Sequence, residues 1–315
     1  MAIHTLDWQQ TPPADCRGGA VTIGNFDGVH RGHAALLVES RRLAGPTGPT
    51  VALTFDPHPL QLLRPERFLP VLTTIEDRAR LLHELGADQV IILKTCLDLL
   101  QLTPEEFFEQ MVRQRLSARA LVEGEDFRFG RNRAGDIDTL TRLAAATGIV
   151  LSVVPPLQLD GAVVSSSRIR AELERGAVTE AERLLGRSYR LHGTVALGQQ
   201  RGRTLGFPTA NLDPLFTLAP GNGVYAVRVL VGRECWPGAA NIGPNPTFGE
   251  DARKVEVHLI GFSGDLYGRS VAVDFLARLR DTRPFAGVAD LKEQLHRDVE
   301  QARQLVASVT PRTPG

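Results

Sequence analysis

The chain has 315 residues, of which 43% are hydrophobic, so it is long enough for two domains that each bury a core. Its 36 basic and 36 acidic residues give a formal net charge of zero, which argues against a general nucleic-acid or anionic-membrane binder. The three cysteines, Cys16, Cys96 and Cys235, lack a C-x-x-C spacing and support neither a zinc site nor a disulfide framework.

No targeting signal is visible in the sequence. No apolar run approaches the ~20 residues needed to cross a bilayer. The first ten residues lack the charged start and the apolar stretch of a secretion signal. We therefore expect a cytoplasmic protein with no membrane partner and no nucleic-acid partner.

The first elements are a strand, a glycine-bearing turn and a helix. Residues 1–19 are expected to be an irregular lead-in, because prolines and glycines interrupt them. Residues 21–24 are typical of the end of a buried strand, and an amphipathic helical pattern begins at His33. Because the first amides of a helix are unpaired and its dipole favours negative charge, this turn is a ready site for an anion.

Two histidines flank this turn with the spacing H-x-G-H, at His30 and His33. A cap or a surface pair is the simpler interpretation of the histidines, but two His, an Asp and three Gly in one turn favour a phosphate site. The stretch resembles the G-x-F-D-x-x-H-x-G-H signature of the nucleotidyltransferase superfamily, whose members transfer a nucleoside monophosphate from a triphosphate to an acceptor. That resemblance implies ATP-binding positions at Gly24, Asn25, Phe26, Asp27, His30, Gly32 and His33.

Strands then alternate with helices through the first half. Strands are predicted at 51–55, 90–93, 120–122 and 150–154, and helices at 75–86 and 104–116. The alternation predicts an α/β, doubly wound parallel sheet. The resemblance to the nucleotidyltransferase superfamily implies that this sheet is nucleotidyltransferase-like, or Rossmann-like. Asp56 and His58 follow the strand at 51–55, near a carboxyl end where open α/β sheets build their sites.

The segment 123–136 carries three Arg, two Phe and three Gly. It is either a solvated basic loop or a lid over a flat aromatic ring that bears phosphates. Farther on, residues 165–170 read Ser-Ser-Ser-Arg-Ile-Arg and open a helix that runs to Gly176. Three hydroxyls could be caps, but with two arginines they indicate a second phosphate contact.

The superfamily has a matching second signature, I-S-S-T-x-I-R, in which Val164 and Ser167 replace the Ile and the Thr here. It implies further ATP contacts at Ser166, Ser167, Arg168 and Arg170. A short helix at 179–185 closes the first half, and a boundary near residues 186–188 predicts domains 1–186 and 187–315.

The second half is rich in strands. Strand patterns at 189–197, 224–231, 236–242, 254–260 and 270–279 predict an antiparallel barrel, followed by an amphipathic helix at 288–306 with its apolar stripe at Leu291, Leu295, Val299, Ala302 and Leu305. The last residues, 310–315, are expected to fray.

A glycine-bearing segment, 202–212, interrupts this barrel after its first strand. Thr209 and Asn211 lie two residues apart, so an extended chain points both to one face, where their oxygens suit a magnesium–phosphate group. A structural Ω-loop with a capping Asn is the alternative. In Val255–Leu259 the valines alternate with Glu256, which is therefore either a solvent-exposed residue or a general base.

The second half resembles the riboflavin kinase domain. The motifs G-x-x-L-G-x-P-T-A-N, G-V-Y, N-I-G-x-x-P-T-F, V-E-x-H and G-D-L-Y-G occur in order. With the H-x-G-H domain in front, the whole chain resembles the prokaryotic bifunctional riboflavin kinase/FAD synthetases. Gly261 and Thr282 stand where that family usually has acidic residues.

The resemblance implies two ATP-dependent steps, riboflavin to FMN in the barrel, then FMN to FAD and pyrophosphate in the N-terminal domain. It implies Glu256 as the kinase base, and His30 and His33 as groups that neutralise phosphate charge. Mg²⁺ would be held by Thr209 and Asn211. The kinase ATP and flavin contacts implied are Gly202, Gly206, Pro208, Thr209, Asn211, Asn241 and Arg280, and the weaker flavin candidates of the N-terminal domain are Asp56, His58, Asp126 and Phe127.

The implied partners are small molecules, namely ATP, riboflavin, FMN, FAD and pyrophosphate, and the chain is expected to be a monomer or a weak homo-oligomer. Two other functions are alternatives to this interpretation. A non-enzymatic flavin store would need damaged phosphate motifs, and both sets are intact. A transferase acting on another acceptor, such as pantetheine phosphate, would not carry the barrel motifs.

Overall fold

The computed structural model describes residues 2–197, 206–245 and 250–308. Two units share the chain. One comprises Met1–Leu69 and Ile75–Ser165, and the other comprises Pro70–Thr74 and Ser166–Gly315. This division assigns the short helices after residue 165 to the second unit. The functional boundary predicted at residue 186 stays a prediction.

The first unit is built on a six-stranded parallel sheet, and the predicted doubly wound fold is confirmed. Its strands are β1 (Ala2–Asp7), β2 (Ala20–Ile23), β3 (Thr50–Asp56), β4 (Gln89–Lys94), β5 (Ala120–Gly124) and β6 (Val150–Val154), in the order β1-β4-β3-β2-β5-β6. Its helices are α1 (Arg31–Ala44), α2 (Pro59–Leu63), α3 (Ile75–Glu84), α4 (Leu97–Gln101), α5 (Pro104–Phe107) and α6 (Ile137–Thr147). A short hairpin, β7 (Gln158–Leu159) and β8 (Ala162–Val163), follows.

Alternate residues of the buried strands fill the two faces of this sheet. On one face Leu53 and Ile91 pack with Phe108 and Leu140, which come from the segment after α5 and from α6. On the other face Ala52 and Val90 pack with Leu37 of α1 and with Ala79 and Leu82 of α3. Helices on both faces explain the continuous apolar pattern of these strands.

The topology places one crevice at β2. The chain leaves β2 to form β3 on one side, and β5 pairs with β2 on the other side. Ligands of open α/β sheets bind outside the carboxyl ends of the strands at such a switch point. The turn after β2 and the loop after β5 therefore both face it.

Two predictions for the first unit were wrong in part. Residues 1–19 contain β1, which pairs in parallel with β4 as an edge strand. Its residues alternate between half-buried and exposed, so it lacks the apolar run of a central parallel strand. The helix predicted at 104–116 continues beyond α5 as a π-helix over Phe108–Arg115, and α6 was not predicted.

The second unit is a closed antiparallel barrel with helices, which confirms the predicted architecture. The helices α7 (Ser166–Glu174) and α8 (Val178–Leu185) precede strands β9 (Tyr189–Ala196), β10 (Ala210–Leu215), β11 (Gly223–Val231), β12 (Glu234–Asn245), β13 (Glu250–Leu259) and β14 (Ser270–Arg280), and α9 (Val288–Ser308) follows them. The strand order around the barrel is β10-β13-β12-β11-β14-β9.

The C-terminal helix packs where its sequence pattern predicted. Ala302 is fully buried against Ala226 and Ile260, and Val299 and Leu305 flank it. The segment 202–212 was interpreted as an interruption of the barrel, but its last residues belong to a strand, because β10 begins at Ala210. Among the described residues, no helix is both long enough and apolar enough to cross a membrane.

Candidate functional site

The turn between β2 and α1 holds the two histidines at the start of the helix. His30 is the N-cap of α1 and its side chain is buried. Its ring stacks on His33, with centroids 3.6 Å apart and planes at 17°. The His30 amide donates to Nδ1 of His33 over 3.2 Å. Both rings therefore stand at a helix N-terminus, where the amides and the dipole favour an anion.

Gly32 makes room for a histidine ring in this turn. A Cβ on Gly32 would lie 3.0 Å from Cε1 and 3.1 Å from Nδ1 of His30. The ATP-binding role that the sequence analysis predicted for Gly32 stays a prediction. The structure shows that the space beside Gly32 is occupied by the His30 ring, so the glycine is what allows that ring to lie along the helix start.

The turn is held in a strained backbone conformation by packing. Phe26 and Val29 have φ of 46° and 40°, in the left-handed region that costs a non-glycine residue about 1–3 kcal/mol. Both are buried in the same core cluster as Leu37 of α1. Gly24 admits the Phe26 ring, which would lie 3.2 Å from a Cβ there. Core packing thus supports the strained conformation of this turn.

A buried ion pair next to this turn was missed by the sequence analysis. Nη2 of Arg78 lies 3.9 Å from Oδ1 of Asp27, and both side chains are almost fully buried. Nη1 of Arg78 donates to the carbonyl of Phe55 over 3.2 Å. Burial lowers the pKa of Arg78, and the carboxylates of Asp27 and Asp56 oppose that shift. Arg78 precedes Leu81 by three residues on α3, a spacing that could have placed it on the buried face.

Asn25 offers an acceptor at the same turn. Its backbone carbonyl accepts from the Thr54 hydroxyl over 3.2 Å. Its side-chain Oδ1 is buried and has no hydrogen-bond partner within the described chain. A buried unsatisfied acceptor is costly, so this atom is suited to a ligand that donates a hydrogen bond.

The weaker flavin candidates lie on two loops. Asp56 is exposed at the end of β3, and His58 caps α2 by accepting at Nδ1 from the Leu60 amide over 3.1 Å. Phe127 is half-buried and stacks on Phe129 with centroids 5.5 Å apart.

Phe129 itself belongs to the core. Of the two phenylalanines of the proposed lid, only Phe127 can therefore present a ring face, and Asp126 beside it is exposed. Arg128, Arg131 and Arg133 are also exposed.

The second signature lies at the start of α7, in the second unit. Ser167 is exposed, whereas Ser166, Arg168 and Arg170 are half-buried. Nε of Arg170 donates to the Pro70 carbonyl over 3.4 Å. The predicted ATP contacts of these four residues stay predictions.

The barrel strands bring three motifs into one row. Asn211 on β10 lies directly opposite Glu256 on β13, which lies opposite Asn241 on β12. Opposite residues have Cβ atoms about 5 Å apart and share a face. All three are half-buried, whereas their neighbours Val255 and Val257 are buried. The predicted orientation of Glu256, away from the valines, is thus confirmed.

A histidine of the V-E-x-H motif secures the segment that leads into this row. Nδ1 of His258 lies 2.8 Å from the carbonyl of Pro208. A carbonyl only accepts, so Nδ1 carries the proton. Burial lowers the pKa of His258, which favours this neutral ring. Thr209 follows Pro208 directly, and Gly206 before it has a φ of 87°.

Arg280, one of the predicted kinase residues, pairs with an acidic side chain of the C-terminal helix. Arg280 at the end of β14 forms a forked pair with the buried Asp298 of α9, with Nε and Nη2 at 3.1 and 2.7 Å from Oδ2. Its predicted ligand role stays a prediction. Gly202 lies outside the described residues, as do positions 246–249 of the N-I-G-x-x-P-T-F motif and the C-terminal positions 310–315.

The cysteines form no disulfide, and all three are free thiols. Donor atoms of His4, Asp15 and Cys16 lie within 4.8 Å of one another. Gln89 hydrogen-bonds to His4 and Asp15 over 3.1 and 3.2 Å, and burial raises the pKa of the Cys16 thiol to about 12. The cluster is therefore internally satisfied, with a thiol that ionises poorly.

Comparison with known proteins identifies both halves. The FAD synthetase family model matches residues 13–168, and the riboflavin kinase family model matches residues 185–306. The bifunctional riboflavin kinase/FMN adenylyltransferase of Pseudomonas fluorescens is 39% identical, over 92% of this chain and 94% of its own. The Escherichia coli (strain K12) protein of the same name is 36% identical over 98% of both chains. A crystal structure described as a macrolide-efflux protein from Streptococcus pneumoniae is 32% identical, has a TM-score of 0.83, and covers 95% of this chain and 98% of its own.

Proposed function

The chain belongs to the family of bifunctional riboflavin kinases/FMN adenylyltransferases, and we propose which of its residues perform the two reactions. The kinase phosphorylates riboflavin to FMN at the barrel. The adenylyltransferase converts FMN to FAD and releases pyrophosphate. The observation that carries the residue assignment is the stacked pair His30–His33 at a helix N-terminus on the switch point of a parallel sheet.

In the adenylyl transfer, the FMN phosphate attacks the α-phosphate of ATP. A phosphate monoester dianion is already nucleophilic, so the protein needs no base. It must neutralise the charge that develops on the α-phosphate and on the leaving pyrophosphate. His30, His33 and the first amides of α1 are the groups proposed for this. Asn25 and Asp27 shape the turn, and Ser166, Ser167, Arg168 and Arg170 are added on the family signature alone.

In the kinase reaction, the 5′-hydroxyl of riboflavin attacks the γ-phosphate of ATP. Glu256 is proposed as the group that orients this hydroxyl and accepts its proton. Asn211 and Asn241 lie on either side of it in the barrel row. Positioning and charge neutralisation supply most of the rate of such transfers.

The donor atoms of Thr209, Asn211 and Glu256 fit Mg²⁺. The hydroxyl of Thr209, the amide oxygen of Asn211 and the carboxylate of Glu256 are hard oxygen ligands, which Mg²⁺ prefers. Thr209 and Asn211 are proposed to hold the ion, which when bound would neutralise charge on the ATP phosphates. A cytoplasmic location and a monomeric or weakly oligomeric state stay predictions.

One assay separates this function from its alternatives. The protein is incubated with riboflavin, ATP and Mg²⁺, and the flavins are separated by chromatography. The proposal expects FMN followed by FAD. A flavin store would return riboflavin unchanged, and a transferase for a different acceptor would also make no FAD when FMN is supplied.

Two variants test the residue assignment with crossed substrates. His30→Ala is expected to keep FMN formation from riboflavin and to lose FAD formation. Glu256→Ala is expected to stop FMN formation, while FMN supplied directly is still converted to FAD. Normal FAD output from His30→Ala, or an unimpaired kinase in Glu256→Ala, would contradict the role of that residue.

A further inference from the structure

A buried glutamate supports the adenylyltransferase turn from the neighbouring strand. Glu123 lies on β5 with only 2% of its surface exposed. Its Oε1 accepts a hydrogen bond from the backbone amide of Ile23 over 2.8 Å. Ile23 is the last residue of β2, and the turn that carries the two histidines begins with the next residue.

The position of this bond follows from the way β2 and β5 separate. The two strands pair only through Ala20 with Ala120 and Val21 with Leu121. The amide of Gly24 donates to Leu53 on β3, and successive amides of a strand point in opposite directions. The Ile23 amide therefore points toward β5, beyond the last paired residues. The Glu123 carboxyl spans the gap and takes the place of a strand carbonyl.

The surroundings of this carboxyl make its presence costly. A small pocket beside it is lined by apolar side chains, among them Phe107, Leu121, Phe127 and Leu140. Burial raises the pKa of Glu123, and the hydrogen bond from Ile23 opposes that rise. An apolar side chain would pack here without this desolvation cost. Among the described residues, the hydrogen bond from the Ile23 amide is the one that the Glu123 carboxyl makes.

We propose that Glu123 is a positioning residue for adenylyl transfer. It satisfies the buried amide at the end of β2 and so fixes the point from which the turn leaves the sheet. The inference rests on the proposed role of His30 and His33 and extends it to a residue of the next strand, outside both nucleotidyltransferase signatures. Glu123 acts through the backbone and does not touch the substrate.

Two conservative variants separate the reach of the side chain from its acidic group. Glu123→Gln keeps a side-chain oxygen at the same reach and replaces the carboxyl by an amide. Glu123→Asp keeps the carboxyl but is one methylene too short to reach the Ile23 amide. FMN adenylylation is measured with FMN, ATP and Mg²⁺, and riboflavin phosphorylation by the same preparations serves as the internal control.

We expect Glu123→Gln to keep kcat for FAD formation within threefold of the parent protein. We expect Glu123→Asp to lower that kcat at least tenfold, with a smaller change in KM for ATP, because the misplaced groups act on the transition state. Amide hydrogen exchange at residues 22–26 should become faster in Glu123→Asp only. Riboflavin phosphorylation should be unchanged in both variants.

Full activity in Glu123→Asp would overturn the inference, and so would a loss in Glu123→Gln as large as that in Glu123→Asp. If Glu123→Asp does not fold, Glu123→Gln still tests the inference. The inference requires the amides of residues 22–26 to be as protected from exchange in Glu123→Gln as in the parent protein. A parent protein that makes no FAD would instead refute the proposed function. The hydrogen-exchange measurement would then still test whether Glu123 supports the end of β2.

Discussion

Gly32→Ala tests whether the placement of the His30 ring controls FAD synthesis. A Cβ at this position would lie 3.0 Å from Cε1 of His30, whereas ordinary contacts begin near 3.4 Å. The ring must therefore move by a few tenths of an ångström. The His30 ring is stacked on the His33 ring with centroids 3.6 Å apart, so a shift of His30 disturbs this stacked pair.

We expect Gly32→Ala to lower the rate of FMN adenylylation without lowering the stability of the fold. Gly32 lies in the first turn of α1 at a φ outside the left-handed region, where alanine is the better helix former by roughly 0.5–1 kcal/mol. Displacements of catalytic groups by up to 1 Å cost up to about 100-fold in rate. We expect kcat/KM for FMN adenylylation to fall by about 10–100-fold, a loss of about 1.4–2.7 kcal/mol of transition-state stabilisation.

The assay follows FAD and pyrophosphate formation from FMN and ATP, with riboflavin phosphorylation by the same sample as the internal reference. Gly287→Ala is the matched control, because a Cβ there meets open space. The unfolding temperature of Gly32→Ala should equal or exceed that of the parent. Wild-type FAD synthesis in Gly32→Ala would show that the position of the His30 ring is not critical, and the reasoning would fail.

Three further predictions concern buried groups. Arg78→Met should destabilise the first unit by about 3 kcal/mol in denaturant unfolding, because it breaks the buried pair with Asp27; an unchanged midpoint would contradict this. Cys16 should react with a thiol reagent far more slowly than the exposed Cys235, since burial raises its pKa to about 12, and only unfolding should equalise the rates. Burial lowers the pKa of His258 below its usual 6.5, so the unfolded chain takes up this proton at a higher pH than the folded chain does. The contribution of neutral His258 to the free energy of unfolding is therefore complete above about pH 6.5 and is lost as the pH falls below that value. His258→Gln should flatten the dependence of the unfolding temperature between pH 5 and 7, and an unaltered slope would argue against this linkage.

The sequence by itself determined the order and kind of most elements. Apolar β-branched runs such as that of β3 predicted buried strands, and a strict alternation put Glu256 on the opposite face from Val255 and Val257. The spacing of His30 and His33 placed them at a helix start. These properties depend on residues within one or two turns or strand repeats, so local periodicity is enough to predict them.

Only the tertiary structure decided which distant residues meet. Nothing local shows that β2 lies next to β5, so the bond from the Ile23 amide to Glu123 could not be predicted. The same holds for the row that joins Asn211, Glu256 and Asn241, because strand register is set by the closed barrel. A hydrogen bond or ion pair between elements far apart in sequence depends on strand order and helix packing, which arise from the whole core and not from any one segment.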